Sequence, residues 1–369
     1  MSNVLNHYQY LHQIPEPGFK EFKTSDYVAG KLQEAGYKVI RGLGGTTGLV
    51  GEYDSGVPGP VFGIRADMDA LTHIIDGKTV YIHSCGHDSH TSMLLAAAEE
   101  VMAAGTIKKG RVKFLFQPAE ELGTGALKVL ESGILDDVDT LFGMHIRPIQ
   151  ECASGEIICE MHYSASSQFT VTIKGFQAHG ARPHLGINVI DAATCAIGAV
   201  NAIHLDPRVP FSVKCTRFHA DSGVVNAIPD HAEITFDMRA QNNEAMQQLK
   251  EKTVNAIDNA VASVGAKVES YDVHALLPAG DRFDSGLNRI ITACAEEVVG
   301  KENVVASFDT SGGEDFFHYV VRNPNVKAGF IGLGVGAVPG MHHPDMHFDL
   351  DKLENGVSMH RKMIERILG

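Results

Sequence analysis

The stretch HSCGHDSH, at residues 83–90, places three histidines, a cysteine and an aspartate within eight residues. Thiolate and imidazole are ligands for zinc and neighbouring transition metals, so Cys85 and His87 could bind an ion while His90 supports the ligands or packs beside them. Two alternatives remain open for this stretch alone. Cys85 could be a nucleophile, or Ser89 could cap the following helix while the histidines merely line its start.

Two carboxylates stand side by side in QPAEEL, at residues 117–122, directly after an apolar stretch typical of a strand. Adjacent side chains of an extended chain point in opposite directions, so one glutamate could bind a metal while the other stays free. This arrangement is typical of metal hydrolases, because the metal lowers the pKa of a water molecule to about 7 and the carboxylate accepts its proton. The alternative is a solvated acidic pair stabilised by a helix dipole.

Further polar residues lie at predicted strand ends. Asp67 ends a strand in RADMDAL, His145 is predicted directly after an apolar strand in GMHIRP, and His342 and His343 precede a proline in GMHHPDMHFD. A single histidine of this kind is more often a hydrogen-bonded polar residue than a ligand. Functional groups of open α/β sheets gather just beyond the strand ends, so the set as a whole favours one shared site.

The elements that must position these groups alternate between helix and strand over residues 19–145, and again from about residue 275. The spacing of Val28, Leu32 and Ala35 predicts a helix, and the apolar stretches VFGIRA, VKFLF, LFGMHI and AGFIGLGVG predict buried strands. This alternation is typical of an α/β layer.

The middle of the chain has a different order of elements. The stretches QFTVTIKG, VPFSVKCTRF, AEITFDMRA and KVESYDV predict strands, with one helix after the first of them and another after the third. The order β-α-β-β-α-β is typical of a compact ferredoxin-like domain. We therefore expect a catalytic domain of residues 1–165 and 275–369, interrupted by an inserted α+β domain of residues 166–274.

The composition restricts the class of protein. The 369 residues include 31 basic and 45 acidic ones, a formal charge of −14, which argues against nucleic acid or an anionic membrane as the main partner. The N-terminus lacks the pattern of a signal peptide, and no uncharged apolar run reaches the roughly 18 residues that span a bilayer. Six scattered cysteines are unlike a disulfide framework. These features predict a cytoplasmic protein.

Taken together, the motifs resemble those of the M20 family of metallo-aminoacylases and carboxypeptidases, in particular its amidohydrolase subfamily. The resemblance covers nearly the whole chain, through the ordered motifs HQIPEPGFKEFKT, RADMDAL, CGHDSH, QPAEE, GMHIRP, GFQAHGARPH, NAIPDHAEITFDMR, SGGEDF and HHPDMHF. It implies an α/β fold, with a di-metal exopeptidase-like catalytic domain and an inserted ferredoxin-like α+β domain that serves as lid and dimerisation element of a homodimer.

Carried over by position, the resemblance also implies roles for single residues. Two divalent ions (manganese, zinc, cobalt or nickel) would be bound by a bridging Cys85 and by His87, Glu121, His145 and His342. Glu120 would be the general base and later the acid, and Asp67 would orient the site. Cys85 is then a metal-bound thiolate and not a nucleophile. The H-x-P pattern favours His342 over His343 as the ligand.

Substrate recognition is expected in the inserted domain. In AEITFDMRA, apolar and polar residues alternate, so Arg239 faces away from the apolar side of its sheet, and its planar guanidinium suits a substrate carboxylate. A salt bridge with Asp237 is the alternative. The resemblance assigns Arg239 and Asn226 to substrate binding, and His179 to polarising the scissile carbonyl from the partner subunit. Residues 71–84 are predicted to form a loop at the border of the substrate site. This loop is shorter than the corresponding segment of members of the family.

These features predict a metal-dependent amidohydrolase that cleaves the amide bond of a small N-acyl amino acid or related conjugate, releasing a carboxylic acid and the amino acid. A dipeptidase or carboxypeptidase of the same fold is the closest alternative. A protein that only binds a metal or a ligand is disfavoured, because Glu120 would then have no role.

Overall fold

The computed structural model describes residues 2–369. The chain forms two compact units. The first comprises the chain up to His162, Arg282–Asp309 and the chain from Asp315 onward, and the second comprises Tyr163–Asp281 with Thr310–Glu314. The predicted inserted domain, residues 166–274, lies inside the second unit.

The helices of the described residues are α1 Val4–Leu11, α2 Phe22–Glu34, α3 His87–Ala103, α4 Gly125–Glu131, α5 Val189–Asn201, α6 Asn243–Ser263, α7 Ser285–Val299, α8 Phe317–Arg322 and α9 Leu353–Leu368. Short 3-10 helices occupy Leu43–Gly45, Pro183–Leu185, Lys301–Asn303 and Leu350–Lys352. Within residues 2–369, no helix combines the length and the apolar character that crossing a bilayer requires.

The strands are β1 Lys38–Arg41, β2 Leu49–Asp54, β3 Val61–Asp67, β4 Leu71–Ile75, β5 Lys78–Ile82, β6 Arg111–Gln117, β7 Thr140–Pro148, β8 Ile157–Ile158, β9 Met161–Tyr163, β10 Ala165–Lys174, β11 Ala178–His179, β12 Phe211–Ala220, β13 Ala227–Ile228, β14 His231–Ala240, β15 Lys267–Leu277, β16 Val304–Val305, β17 Phe308–Thr310 and β18 Lys327–Ala337.

An eight-stranded sheet forms the centre of the first unit, in the order β1-β2-β6-β3-β7-β18-β8-β16. Its central strands β6, β3, β7 and β18 run parallel, and every residue of β3 is buried. Apolar side chains of α2, α3, α7 and α9 form one core with this sheet. The predicted α/β layer with a buried sheet is confirmed. Parallel strands end at a common edge, so groups that follow β3 and β6 lie close together.

The second unit contains a four-stranded antiparallel sheet in the order β12-β14-β10-β15. Its chain order, β10-α5-β12-β14-α6-β15, is the predicted ferredoxin-like order. Ile234, Phe236 and Met238 alternate along β14 and are buried in one core with α5 and α6. The side-chain oxygens of Asn188 and Asn242 cap these two helices, accepting backbone N–H groups at 3.1 and 2.8 Å.

Strands β4 and β5 form a hairpin between the end of β3 and the start of α3. Its turn residues, Asp76 and Gly77, have φ angles of 51° and 73°. Positive φ at both central residues is typical of the type I′ turn, which matches the twist of the two strands and favours Asp-Gly. The prediction of a loop for residues 71–84 is therefore wrong, because Leu71–Ile75 and Lys78–Ile82, on either side of this turn, pair as antiparallel strands.

Candidate metal centre

Cys85 and His87 flank a sharp turn at the start of α3. Gly86 lies between them with φ 83°, and helix α3 begins at His87. A Cβ atom on Gly86 would lie 2.3 Å from Ile146 Cδ1, so the chain needs glycine to turn this close to β7. Ser89 lies inside the first helical turn, and its hydroxyl donates to the Gly86 carbonyl at 2.5 Å. The alternative in which Ser89 caps the helix is therefore wrong.

Glu121, His145 and His342 reach the same region from three other segments. Glu121 follows β6, whereas His145 lies inside β7 and not after a strand as predicted, because pairing with Gly332 of β18 continues the strand past it. The backbone N–H of His342 donates to the Ser84 carbonyl at 2.8 Å. His342 also has φ 67°, a left-handed conformation that is costly for residues other than glycine and is common at functional sites.

The candidate ligand atoms form two overlapping groups that share the Cys85 thiol. One group is Cys85, His87 and His145, the other is Cys85, Glu121 and His342, and within each group all the atoms lie within 4.8 Å of one another. Cys85 Sγ lies 3.4 Å from His145 Nε2, and Glu121 Oε1 lies 3.4 Å from His342 Nε2. The structure thus brings together the five residues that the resemblance assigns to the metals, with Cys85 common to both groups.

The two adjacent histidines after β18 have different surroundings. His342 Nε2 contacts the Glu121 carboxylate, as described above. The His343 ring turns to its own loop, where Nδ1 accepts the backbone N–H of Asp345 at 3.1 Å. This difference favours His342 as the ligand.

Two buried atoms of the cluster lack a hydrogen-bond partner among the described residues. They are His87 Nε2 and Glu121 Oε1, which lie 3.8 Å apart. Buried nitrogen and oxygen atoms are rarely left in this state. The other ring nitrogen of His87, Nδ1, contacts Asp69 Oδ1 at 3.1 Å, which turns Nε2 towards the cluster. A thiol, imidazoles and a carboxylate with inward-facing, unpartnered atoms fit a pair of divalent transition-metal ions.

The protein groups alone do not favour the ionised forms of the acidic ligands. Burial and the Glu121 carboxylate raise the pKa of the Cys85 thiol well above its ordinary value, and burial raises the pKa of Glu121 to about 7. Burial and the neighbouring His90 lower the pKa of His145 well below its ordinary value, so its ring is neutral. Divalent cations would reverse the shifts of the thiol and the carboxylate, because positive charge stabilises both anions.

Glu120, the predicted general base, lies beside the ligand groups. Its carboxylate Oε2 is 3.9 Å from His87 Nε2, and the residue is 9% exposed. Glu121 approaches the same nitrogen at 3.8 Å. The prediction that the two side chains point in opposite directions is therefore wrong. The chain leaves the extended conformation after β6, since Ala119 has φ 53° and Gly123 donates its N–H to the Glu120 carbonyl, forming a turn.

Asp69 contacts these groups and was not predicted as a site residue. Its buried carboxylate contacts His87 Nδ1, and it accepts the backbone N–H groups of Glu120 and Glu121, with all three distances at 3.1 Å. One side chain thereby orients a ligand and the loop that carries both glutamates. The motif RADMDAL indicates this position, because residues two apart point to the same side of an extended chain. Asp69 is therefore expected on the same side as Asp67, which was predicted to orient the site.

Asp67, predicted to orient the site, lies among His87, His90 and Arg65, and its Oδ2 atom is 3.8 Å from His87 Nε2. Its two oxygens lie 2.6 Å from His90 Nδ1 and 2.6 Å from the Nη1 atom of the buried Arg65. Burial raises the pKa of Asp67, but the neighbouring His87, His90 and Arg65 outweigh burial and hold this pKa well below its ordinary value. His90 Nε2 accepts the backbone N–H of Ile146 at 2.9 Å. Both ring nitrogens of His90 thus have protein partners, which supports a packing role for this residue.

The predicted substrate-binding residues all lie in the second unit. His179 is the last residue of β11 and pairs with Ala227 of β13, next to Asn226, whose carbonyl accepts the Gly180 N–H at 2.7 Å. The structure therefore brings His179 and Asn226 together. Arg239 lies on the polar side of β14, as predicted, and its guanidinium bonds Asp237 at 3.0 and 3.1 Å.

Comparison with known proteins agrees with the fold and shows the family. Residues 63–366 match the model of the peptidase family M20/M25/M40. The N-acetylcysteine deacetylase of Bacillus subtilis is 32% identical over 95% of this chain and 93% of its own length. The Arabidopsis thaliana IAA-amino acid hydrolase ILR1-like 4 is 31% identical over 97% of this chain and 84% of its own. A dinuclear metal-binding peptidase of the M20 family from Bacillus subtilis superposes with a TM-score of 0.81 at 28% identity, over 99% of this chain and 98% of that one.

The family match and these relatives show that the protein is a metal-dependent hydrolase of amide bonds, and the cluster of thiol, imidazole and carboxylate donors fits this class. The chain belongs to the peptidase family M20/M25/M40.

Proposed function

We propose that the protein hydrolyses the amide bond of small N-acyl amino acids, releasing a carboxylic acid and an amino acid. The observation that carries this proposal is the pair of ligand groups that share Cys85, with the Glu120 carboxylate 3.9 Å from His87 Nε2. Glu121 Oε1 lies 3.4 Å from His342 Nε2 in the second ligand group, so we assign the ligand role to Glu121 and the proton transfer to Glu120. The relatives named as an N-acetylcysteine deacetylase and an IAA-amino acid hydrolase support the substrate class.

The proposed metal ligands are the two groups described above, Cys85, His87, Glu121, His145 and His342. Manganese, zinc, cobalt and nickel are all compatible with this mixture of thiolate, imidazole and carboxylate donors. When bound, a pair of such ions polarises a carbonyl group and lowers the pKa of a nearby water molecule.

Glu120 performs the proton transfers of the proposed reaction. Its carboxylate accepts a proton from the attacking water molecule and later donates it to the nitrogen of the leaving amine. The Asp69 carboxylate holds the Glu120 backbone N–H at 3.1 Å, which fixes the point from which the Glu120 side chain extends. Positioning of this kind matters because proton transfer requires hydrogen-bond contact between the two heavy atoms.

The second unit supplies the proposed substrate contacts. The Arg239 guanidinium binds the carboxylate of the amino acid, with Asn226 as a further polar contact. His179 Nδ1 accepts the backbone N–H of Ala181 at 3.0 Å, so in the neutral ring the proton is on Nε2. An Nε2–H donor suits stabilisation of the oxyanion that develops on the scissile carbonyl.

We also propose that the protein is a cytoplasmic homodimer, formed through the second unit. Strand β12 lies at the edge of its sheet, and Phe218 on it is 42% exposed. An unpaired edge strand is a template for a strand of a second copy, and two-fold symmetry would join the two sheets. In such a dimer, His179 of one chain acts in the site of the other. All six cysteines of the described residues are unpaired, which is compatible with a reducing compartment.

The test is the release of free amine from a panel of N-acetyl, N-benzoyl and N-indoleacetyl amino acids and of dipeptides, with the metal content measured on the same samples. We expect a chelator to abolish activity, and manganese, cobalt, nickel or zinc to restore it. Full activity in a verified metal-free sample would contradict the proposal. If dipeptides are hydrolysed faster than every N-acyl amino acid, the peptidase alternative is correct.

The variant Cys85→Ser distinguishes a metal-ligand role of Cys85 from a role as nucleophile. We expect this variant to lose bound metal along with activity, because a hydroxyl is a much poorer ligand for these ions than a thiolate. Retention of the metal together with loss of a thiol-dependent covalent intermediate would instead identify Cys85 as a nucleophile.

A further inference from the structure

The N-terminal segment of residues 15–21, PEPGFKE, packs directly against the loop that carries Glu120 and Glu121. A Cβ atom on Gly18 would lie 2.9 Å from Leu122 Cδ1 and 3.0 Å from Ala119 Cβ, so the segment approaches the loop closely at this glycine. The same segment also reaches the strand end beside Asp69, since the Ala70 N–H donates to the Glu16 carbonyl at 2.8 Å. Residues far away in the sequence thus support both sides of the site.

Glu21 is the buried acidic residue at the end of this segment, with 0% exposure. Its Oε1 atom accepts two backbone N–H groups, from Phe19 at 3.0 Å and from Ala119 at 2.9 Å. Its Oε2 atom accepts the Thr47 hydroxyl at 2.5 Å. Both carboxylate oxygens are therefore satisfied by groups from three separate segments.

Both residues that donate a backbone N–H to the Glu21 carboxylate have a strained backbone. Phe19 has φ 62° and Ala119 has φ 53°. Residues with a Cβ atom avoid this left-handed region, and they stay there only where surrounding contacts hold them. A single carboxylate oxygen supplies such a contact to both.

The conformation of Ala119 determines where the next two residues lie. The N–H of Ala119 is held by Glu21, and the N–H groups of Glu120 and Glu121 are held by Asp69. Three successive backbone groups of the catalytic loop are thus bonded to two buried carboxylates. If Ala119 relaxed to a negative φ, the chain direction would change immediately before Glu120.

We propose that Glu21 is a positioning residue, which holds Ala119 in its left-handed conformation and thereby places Glu120 and Glu121 for the reaction. This inference rests on the proposed function, in which Glu120 transfers the proton. Glu21 itself touches no candidate metal ligand and takes no part in the proton transfer.

A cycle of variants tests the proposal. Glu21→Ala should lower kcat by about tenfold or more with a smaller change in KM, because a misplaced catalytic group slows the reaction without removing substrate contacts. In an Ala119→Gly background the same Glu21→Ala change should cost much less, because glycine adopts positive φ without strain. Glu21→Gln should retain most of the activity, since its amide oxygen can accept both N–H groups while its NH₂ group faces Thr47.

A control separates positioning from loss of stability. Val28 lies in α2, is fully buried and belongs to the core behind the sheet. Val28→Ala should lower the melting temperature without lowering kcat, when all variants are assayed at a temperature at which circular dichroism shows them folded. If Glu21→Ala alone does not fold, Glu21→Asp takes its place in the cycle, because it keeps the charge but is too short to reach Ala119.

Two results would overturn the inference. The first is that Glu21→Ala lowers kcat by the same factor in the wild type and in the Ala119→Gly variant. The second is that Val28→Ala, at the same melting temperature as Glu21→Ala, lowers kcat by as much as Glu21→Ala does. Glu120→Gln in the same assay distinguishes this inference from the proposed function. If Glu120→Gln is fully active, the proposed function is wrong, whereas an inactive Glu120→Gln with no coupling between Glu21 and Ala119 refutes only the positioning role.

Discussion

At the residue scale, Glu120 and Glu121 are chemically identical neighbours to which we assign different roles. Glu121 Oε1 has no hydrogen-bond partner among the described residues. It lies 3.4 Å from His342 Nε2, as expected for two ligands of one metal ion. We therefore predict that Glu121→Gln loses metal, whereas Glu120→Gln keeps it and turns over at least about 10²-fold more slowly, the usual scale for a lost general base. Metal analysis and kcat measured on both variants check this, and equal loss of metal in both would contradict it.

At the same scale, Arg239 has two possible roles, binding of a substrate carboxylate or a structural salt bridge, because its guanidinium bonds Asp237 in the structure. If its role is to bind a substrate carboxylate, Arg239→Ala should weaken binding of N-acyl amino acids far more than binding of their amides. A charge-assisted contact is worth roughly 1.5 to 3 kcal/mol, or about one to two orders of magnitude in affinity. KM and inhibition constants for matched acid and amide pairs measure the difference.

Asp237→Asn is the matched control for this prediction. It removes the charge of the partner and leaves Arg239 in place, so the preference for acids should survive. A uniform loss of affinity across acids and amides in Arg239→Ala, reproduced by Asp237→Asn, would show that the pair serves the structure of the second unit.

At the element scale, the start of α3 depends on one glycine. A Cβ atom on Gly86 would meet Ile146 Cδ1 at 2.3 Å, and its φ of 83° is unfavourable for any other residue. Gly86→Ala should therefore destabilise the protein by about 1 to 3 kcal/mol and lower its metal content, because Cys85 and His87 lie on either side of the turn.

Gly30 provides the matched control for this prediction. It lies in the middle of α2, and a Cβ atom there would meet nothing within 4 Å. Gly30→Ala should stabilise the protein by roughly 0.5 to 1 kcal/mol, because alanine favours the helix, and should leave the metal content unchanged. Denaturant unfolding of both variants measures the two effects, and equal stability of Gly86→Ala and the wild type would refute the structural role of the turn.

The elements themselves were predicted from local patterns with mixed success. Apolar runs and alternation identified β3, β6 and the strands of the second unit, because burial on one or two faces determines the pattern directly. The hairpin turn at Asp76 and Gly77 was missed, although Asp-Gly is a strong turn signal. His145 was placed after its strand, because the pairing that extends β7 comes from β18, a strand nearly two hundred residues later in the chain.

At the scale of the whole molecule, the proposed dimer predicts complementation. A sample of His179→Ala and a sample of Glu120→Gln should each be nearly inactive. After subunit exchange, one of the two sites in each heterodimer would contain both intact groups. Random exchange gives half heterodimers, so activity should return to about a quarter of the wild-type value if the sites are independent.

The control for this experiment is the degree of exchange, which native mass spectrometry reports. If heterodimers form and no activity returns, His179 acts within its own chain or has no catalytic role. If a purely monomeric protein is fully active, the proposed dimer is not required for the reaction.

The sequence by itself determined the chemistry that is available. The types and order of Cys85, His87, Glu121, His145 and His342 indicated a metal site, and the resemblance of the motifs to a known family indicated which residues share it. Tertiary structure alone decided how these groups are held. Asp69 and Glu21 act through backbone groups of a loop 51 and 98 residues away, and nothing in the local sequence of a buried carboxylate names the distant N–H that it will accept. A ligand is identified by its own chemical type, whereas a positioning residue is defined by the partner that folding brings to it.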